Sequence, residues 1–183
     1  MGTVRARTEG FVLAGGRSLR FGADKFEHPV EGRPMGALAV DALGDLGSVT
    51  VVGPPRDSMP EVSWWSGRRE GEGPLGPLVD VLERSGPCIA VVLACDYPRV
   101  GRTLVERLVA ALADGGDAAL ATDGRIHWLV GAWRAERAVG PLKSAWERGE
   151  RSVHRAASGL AIVTVEADEA ELVNANTRAD VGA

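Results

Sequence analysis

The chain has 183 residues, 45% hydrophobic and 25% charged, which is typical of a soluble globular protein with a sizeable core. Its 21 Lys and Arg residues against 25 Asp and Glu residues give a net charge of −4, which argues against a general nucleic-acid-binding protein. There is no apolar run of ~18 residues and no signal-peptide core, so we expect a cytoplasmic protein without a membrane span. Cys88 and Cys95 share one apolar run and are predicted to be buried thiols, with neither a disulfide nor a zinc site.

Short apolar runs alternate with helical patterns along the chain, which is typical of a mostly parallel sheet covered by helices. Strands are predicted at residues 10–14, 49–52, 88–95, 118–121, 126–133, 161–165 and 172–173. Helices are predicted at residues 34–46, 77–84, 102–114, 135–148 and 153–157. The strand at 126–133 follows a tight turn and is expected to be antiparallel, whereas residues 54–73 are predicted to be a loop that exposes Trp64 and Trp65 as a contact surface. The pattern predicts an α/β fold, a single three-layer domain over residues 1–183 with helices on both faces of the sheet.

A glycine-rich loop, LAGGRSLRFGADK at residues 13–25, follows the first predicted strand. Glycines allow backbone N–H groups to approach a phosphate closely, and loops at this end of a parallel sheet bind ligands. Arg17, Arg20 and Lys25 add three cations that suit a triphosphate. The loop matches neither the dinucleotide fingerprint nor the P-loop. By itself the loop is a weak signal, because a glycine-rich turn carrying solvated charges is more common than a binding site.

Asp96 directly follows the most apolar predicted strand, in the segment Cys95-Asp96-Tyr97-Pro98. A carboxylate there would lie in the ligand crevice and could hold Mg²⁺, which takes one or two carboxylates together with substrate phosphates. Alternatively, Asp96 starts a turn or caps the next helix. If the two loops face one another, a cationic loop opposite a carboxylate suits transfer at an α-phosphate. His127 and His154 show no partner spacing and are predicted to be structural or surface residues.

The motif LAGGRSLRFGADK resembles the signature of the molybdenum cofactor guanylyltransferases, a family of glycosyltransferase-A-like nucleotidyltransferases. The resemblance continues through Gly73-Pro74-Leu75, through Cys95-Asp96-x-Pro98 and through NANT at 174–177, so it spans almost the whole chain. It implies a Rossmann-like nucleotidyltransferase fold. It also implies Mg²⁺-dependent transfer of GMP from GTP to a phosphorylated acceptor of the molybdopterin type, with release of pyrophosphate.

The same resemblance implies roles for the matched residues. The positions that would contact the nucleotide are Leu13, Ala14, Gly15, Gly16, Lys25, Gly73, Pro74, Leu75 and Asp96. Within this set the paired glycines point to guanine, and the Gly-Pro-Leu segment would line the pocket for base and ribose. The catalytic residues would be Lys25, Arg20 and Asp96, with the two cations on the phosphates. Asp96 would be a metal ligand, and Asn176 a second one.

The chain departs from the family pattern in four places. Gly53 replaces an Asn, residues 67–72 lack an expected Asp, Gly76-Pro77 replaces Ala-Gly, and Trp128 stands where the family has Pro. These departures leave three alternatives open: a cytidylyltransferase, a transferase for another phosphorylated metabolite, and a non-catalytic nucleotide-binding accessory protein. Neither nucleic acid nor a membrane is expected as a partner. Proteins that deliver the acceptor or receive the finished cofactor are compatible with the resemblance.

Overall fold

The computed structural model describes residues 7–15, 24–69 and 71–175. Its strands in chain order are β1 (Thr8–Leu13), β2 (Pro29–Val30), β3 (Arg33–Pro34), β4 (Val49–Val52), β5 (Ser63–Trp65), β6 (Ile89–Ala94), β7 (Ala118–Thr122), β8 (Ile126–Arg134) and β9 (Ile162–Glu166). The helices are α1 (Met35–Ala42), α2 (Leu75–Ser85), α3 (Arg102–Ala111), α4 (Ala135–Glu147) and α5 (Val153–Ala156).

Seven of these strands form one sheet in the order β5-β4-β1-β6-β8-β7-β9, and β2 and β3 form a separate hairpin. β1 pairs in parallel with β4 and β6, whereas β8 is antiparallel to both of its neighbours. β8 follows β7 after a three-residue turn, and so short a connection reverses the chain direction. The predicted antiparallel strand is thus confirmed. The carboxyl ends of β1, β4, β5 and β6 and the amino end of β8 lie along one side of the sheet, called the carboxyl edge below.

Helices cover both faces of the sheet, which confirms the predicted three-layer α/β fold. All six residues of β6 are buried, as its continuous apolar sequence predicts for a central strand. Its alternate side chains enter opposite layers, with Val91 and Leu93 packed among residues of α1 and α3. Ala90 and Val92 pack among residues of α2 and α4. None of the described helices is long and apolar enough to span a membrane.

Two predictions about the irregular segments are wrong. The predicted loop at 54–73 contains β5, an edge strand, and its tryptophans are half-buried instead of exposed. Trp64 packs against Phe26 with ring centroids 5.2 Å apart, and the guanidinium of Arg84 lies 4.8 Å from the Trp65 ring. Residues 172–173 form no strand; Leu172 is buried in the core and its N–H donates to the carbonyl of Asp168 at 3.3 Å, so this apolar residue anchors a turn.

The two cysteines are free and buried, as predicted. Burial raises the pKa of the Cys95 thiol to about 12. Burial also raises the pKa of Cys88. Both side chains therefore remain neutral thiols in the core.

Candidate active site

Lys25 and Asp96 lie together at the carboxyl edge, although 71 positions separate them in the sequence. Nζ of Lys25 donates to Oδ2 of Asp96 at 3.0 Å, and the two side chains are only 17% and 21% exposed. Asp96 follows β6 and Lys25 belongs to the loop after β1. Because β1 and β6 are parallel neighbours, the loops that leave their carboxyl ends are adjacent. Lys25 and the carboxylate therefore face each other, as the sequence predicts for the two loops.

The second carboxylate oxygen of Asp96 is unsatisfied. Oδ1 is buried and has no hydrogen-bond partner among the residues that the structure describes. An unpaired buried oxygen costs about 1–3 kcal/mol or more, so such an atom in a native site points to a missing partner. A buried carboxylate oxygen without a hydrogen-bond partner suits a cation.

Asn174 has a second unsatisfied oxygen, on a segment that contacts the backbone of Asp96. Its Oδ1 is also buried without a partner in the described part of the chain. The N–H of Ala175 donates to the backbone carbonyl of Asp96 at 2.8 Å, which joins the two segments. Asn176, the residue of this motif that was predicted as a metal ligand, lies outside the described residues. The sequence could have indicated Asn174 as well, because it is the other asparagine of the same motif, Asn174-Ala175-Asn176.

A small polar network supports this side of the site. The hydroxyl of Tyr97 lies 3.1 Å from Nδ1 of His127 and is hydrogen-bonded to the side chain of Asn174. Nε2 of His127 lies 3.1 Å from the carboxylate of Asp123. Burial raises the pKa of Tyr97, so its hydroxyl stays protonated. His127 is 3% exposed and has the structural role that was predicted for it.

Arg56 is a site residue that the sequence analysis missed. Its Nε donates to Oδ2 of Asp24 at 2.9 Å, and its guanidinium lies 5.0 Å from the Phe26 ring and 5.4 Å from the Trp64 ring. Asp24 also accepts a hydrogen bond from the N–H of Phe26 at 3.0 Å, which shapes the turn that carries Lys25. Arg56 is 14% exposed and thus holds the base of the Lys25 turn from the loop after β4.

The glycine at position 53 has a structural explanation. Gly53 adopts a φ of +150°, and a Cβ built there would lie 3.2 Å from the carbonyl carbon of Ala14. A larger residue would strain the backbone and push the end of β4 away from the end of β1. Its N–H donates to the carbonyl of Trp65 at 2.9 Å, so Gly53 also joins β4 to β5.

The Gly-Pro-Leu segment lies at the start of α2. Gly73 and Pro74 are exposed, whereas Leu75 is fully buried and presents no surface to a ligand. Gly73 has a φ of +99°, and a Cβ there would approach Arg151 to 3.4 Å. The segment therefore borders the turn between α4 and α5.

The loop before this segment is anchored by a helix carboxylate. Asp80 of α2 is fully buried, and its Oδ2 accepts hydrogen bonds from the N–H groups of Arg68 and Arg69 at 2.6 and 2.8 Å. Arg69 also forms an ion pair with Asp80 through its guanidinium. The sequence analysis did not anticipate a buried carboxylate on α2.

The remaining candidate residues belong to the end of β1 and the loop after it. Leu13 and Ala14 are buried at the end of the strand, and the N–H of Ala14 donates to the carbonyl of Val52 at 2.9 Å. Gly15 is exposed. Gly16, Arg17 and Arg20 lie outside the described residues, so their roles stay predictions.

The fold is that of the Rossmann-like nucleotidyltransferases. It is similar to the crystal structure of a molybdopterin-guanine dinucleotide biosynthesis protein A from Archaeoglobus fulgidus, with a TM-score of 0.79 and 21% identity over 94% of each chain. A nucleotidyl transferase from Methanothermobacter is also similar, with a TM-score of 0.76 and 21% identity over 95% of this chain and 94% of that one.

Residues 10–162 match the model of the MobA-like NTP transferase domain, and the chain belongs to this family of nucleotidyltransferases. It is 34% identical over 188 residues to a probable molybdenum cofactor guanylyltransferase of Mycobacterium avium, covering 95% of this chain and 93% of the relative. It is 30% identical over 166 residues to a molybdenum cofactor guanylyltransferase of Pseudomonas putida, covering 87% of each chain. The resemblance inferred from the motifs is confirmed.

Proposed function

We propose that this nucleotidyltransferase moves GMP from GTP to a phosphorylated acceptor of the molybdopterin type, with Mg²⁺ and with release of pyrophosphate. The observation that carries the proposal is the Lys25–Asp96 pair at the carboxyl edge, with one buried carboxylate oxygen left without a partner among the described residues. Guanine and the acceptor are inferred from the names of the relatives and from the paired glycines at 15 and 16.

The reaction requires no covalent intermediate on the protein. An oxygen of the acceptor phosphate attacks the α-phosphorus of GTP, the bond from that phosphorus to the bridging oxygen breaks, and pyrophosphate leaves. Catalysis then depends on positioning the reactants and on stabilising the negative charge on the phosphoryl oxygens. In this reaction Lys25 would bind those oxygens. Its ammonium group would leave the carboxylate of Asp96 and contact the triphosphate instead.

The residues at Asp96 fit a magnesium ion. Oδ1 of Asp96 and Oδ1 of Asn174 are buried hard oxygen donors without partners in the described chain, on segments joined by a hydrogen bond. Asp96 would hold the ion, with Asn174 or Asn176 as a second ligand. When bound, Mg²⁺ supplies Lewis-acid stabilisation of the phosphoryl charge. Few protein ligands are needed, because Mg²⁺ keeps several waters and substrate phosphates.

The experiment that tests the proposal follows pyrophosphate release with each of the four nucleoside triphosphates, with Mg²⁺ and with molybdopterin as acceptor. We expect release only when GTP, Mg²⁺ and acceptor are all present. Omitting the metal or adding a chelator is expected to stop it. Release with molybdopterin absent and another phosphorylated metabolite present would contradict the acceptor assignment.

We expect GTP to bind more tightly than CTP, ATP or UTP. The physical reason is that a pocket that hydrogen-bonds one base edge leaves its polar groups unpaired when another base enters. Calorimetry with each nucleotide and Mg²⁺ measures the difference. A tenfold preference for CTP would instead assign the chain to the cytidylyltransferase alternative.

Replacing Arg56 with methionine is expected to lower kcat/KM for GTP about fivefold. The unbranched side chain keeps the contact with Phe26 and Trp64 but removes the charge that holds Asp24. Because Asp24 is 41% exposed, we expect an effect near ~1 kcal/mol, which corresponds to roughly fivefold. Steady-state kinetics checks this.

Arg33→Met is the matched control for Arg56→Met. Arg33 also pairs with a partly exposed aspartate, Asp41, but on the surface of α1. We expect it to behave as wild type. If the two variants have equal kcat/KM, Arg56 does not position Lys25.

A further inference from the structure

Trp128 has no part in the contacts described so far. It is the third residue of β8, at the carboxyl edge, and replaces the proline of the family pattern. Its ring centroid lies 5.3 Å from that of the His154 imidazole, at an interplanar angle of 36°. Trp128 is half-buried and His154 is exposed, so part of this aromatic pair faces solvent.

The strand register places Trp128 at the carboxyl edge, near the segment that carries Asp96. Leu93 pairs with Val130, and β6 ends one residue later at Ala94. Trp128 therefore lies beyond the end of β6, where the chain continues into Asp96. The adjacent His127 contacts Tyr97, the residue after Asp96, at 3.1 Å.

An irregularity in the sheet turns the side chain of Trp128. Leu120 pairs with Gly131 and Thr122 with Ile126, so two steps along β7 correspond to five along β8. Regular alternation would place Trp128 on the same face as Val130. In the structure Trp128 packs with the layer of α2 and α4, whereas Val130 packs with that of α1 and α3. Bulges next to active sites often redirect a side chain in this way.

The order of the strands separates two sides of the site. β6, which carries Asp96, lies between β1 and β8. The loop after β1, with Lys25, belongs to the nucleotide side. In-line displacement requires the attacking oxygen to approach opposite the leaving pyrophosphate. The acceptor then has to enter from the β8 side, which is the side of Trp128.

We propose that Trp128 and His154 form the surface on which the planar ring system of the acceptor stacks, and that they determine acceptor specificity. The inference rests on the proposed function and names the recognition element for its second substrate. The class of ligand is a fused heteroaromatic ring with a phosphorylated side chain. Tryptophan suits it because every such ring offers a π-face, and aromatic pairs adopt offset or tilted stacks.

The test measures initial rates with molybdopterin varied at saturating GTP, and with GTP varied at saturating molybdopterin. For Trp128→Leu we expect the KM of the acceptor to rise about ten- to hundredfold, the range that loss of one stacking contact produces. The KM of GTP is expected to stay within about twofold of wild type. His154→Ala is expected to shift in the same direction, and Trp128→Phe, which keeps a ring, to retain most of the affinity.

Trp65→Leu is the matched control, because Trp65 is also half-buried but lies on β5, at the far edge of the sheet from β7 and β9. Calorimetry with neopterin monophosphate gives a second measurement that needs no turnover. His154→Ala, at an exposed position, covers the case in which Trp128→Leu fails to fold. An unchanged acceptor KM and unchanged pterin binding in folded Trp128→Leu and His154→Ala would overturn the proposal. So would an equal rise in the KM of GTP.

The proposed guanylyltransferase function is tested separately from the stacking surface, with the wild-type protein. If wild type binds no GTP and releases no pyrophosphate, the guanylyltransferase assignment is wrong, whatever Trp128 does. Pterin binding then still decides the stacking surface. Binding that is lost in Trp128→Leu supports it, and wild-type protein that binds no pterin excludes it.

Discussion

Asp96→Ala is expected to lower turnover about a thousandfold or more while the protein remains folded. A carboxylate that holds the metal contributes several kcal/mol to stabilising the transition state, and about 1.4 kcal/mol corresponds to a factor of ten. The fold is expected to survive because the structural contact of Asp96 is made by its backbone carbonyl, which accepts from Ala175. Pyrophosphate release as a function of Mg²⁺ concentration measures the effect.

The matched control for Asp96→Ala is Asp45→Ala, which removes an exposed carboxylate paired with Arg102 at 2.8 Å. Surface ion pairs of this kind contribute about 0–1 kcal/mol, so its turnover is expected to equal that of wild type. Circular dichroism confirms that both variants are folded. Substantial Mg²⁺-dependent activity in a folded Asp96→Ala protein would contradict the role of Asp96 as a metal ligand.

Lys25→Ala is expected to lower GTP affinity or turnover about ten- to hundredfold. A charge-assisted contact to phosphate is worth roughly 1.5–3 kcal/mol, which converts to that range. The ammonium group of Lys25 lies at the carboxyl edge, where the triphosphate would bind. Because only 17% of its side chain is exposed, water weakens its contact with a phosphate less than at the surface. Removing it also leaves the charge of Asp96 uncompensated beside the triphosphate. Calorimetry and steady-state kinetics measure the two effects separately.

Two further variants sharpen the Lys25 prediction. Lys25→Arg keeps the charge but replaces a compact ammonium with a bulkier planar fork, so only partial rescue is expected. Lys143→Ala is the control. Lys143 lies on α4, is 43% exposed and forms an ion pair with Glu83 of α2 at 2.7 Å. Equal GTP affinity and turnover in wild type, Lys25→Ala and Lys143→Ala would mean that the loop after β1 is ordinary structure.

Two of the four departures from the family pattern lie in segments with defined structural contacts. Gly53 allows the ends of β4 and β1 to approach closely, and Asp80 anchors the backbone at Arg68 and Arg69. These departures motivated the alternative of an accessory protein without activity. That alternative is set aside, because the chain belongs to a family of NTP transferases and keeps Lys25 and Asp96 in contact.

Most of the fold could be predicted from local sequence patterns. The strand at 49–52 was predicted at the bounds that it has, and β6 was predicted to within one residue at each end. Such elements are readable because hydrophobic periodicity, together with Gly and Pro at the ends, acts over a few residues. The three-residue β5 was missed because a short edge strand in a polar segment has no periodicity of its own. Its pairing with β4 creates it.

The sequence by itself determined the strand-to-loop junctions, and therefore that Lys25 and Asp96 both follow strands of a parallel sheet. Their residue types predicted a phosphate contact and a metal ligand, because charge and donor chemistry are local properties. Only the tertiary structure decided that Arg56 holds Asp24, that the segment with Asn174 is hydrogen-bonded to the backbone of Asp96, and that Trp128 turns towards His154. Each of these depends on a hydrogen bond, an unpaired atom or a strand register that joins segments far apart in the chain, and no local pattern encodes such partners.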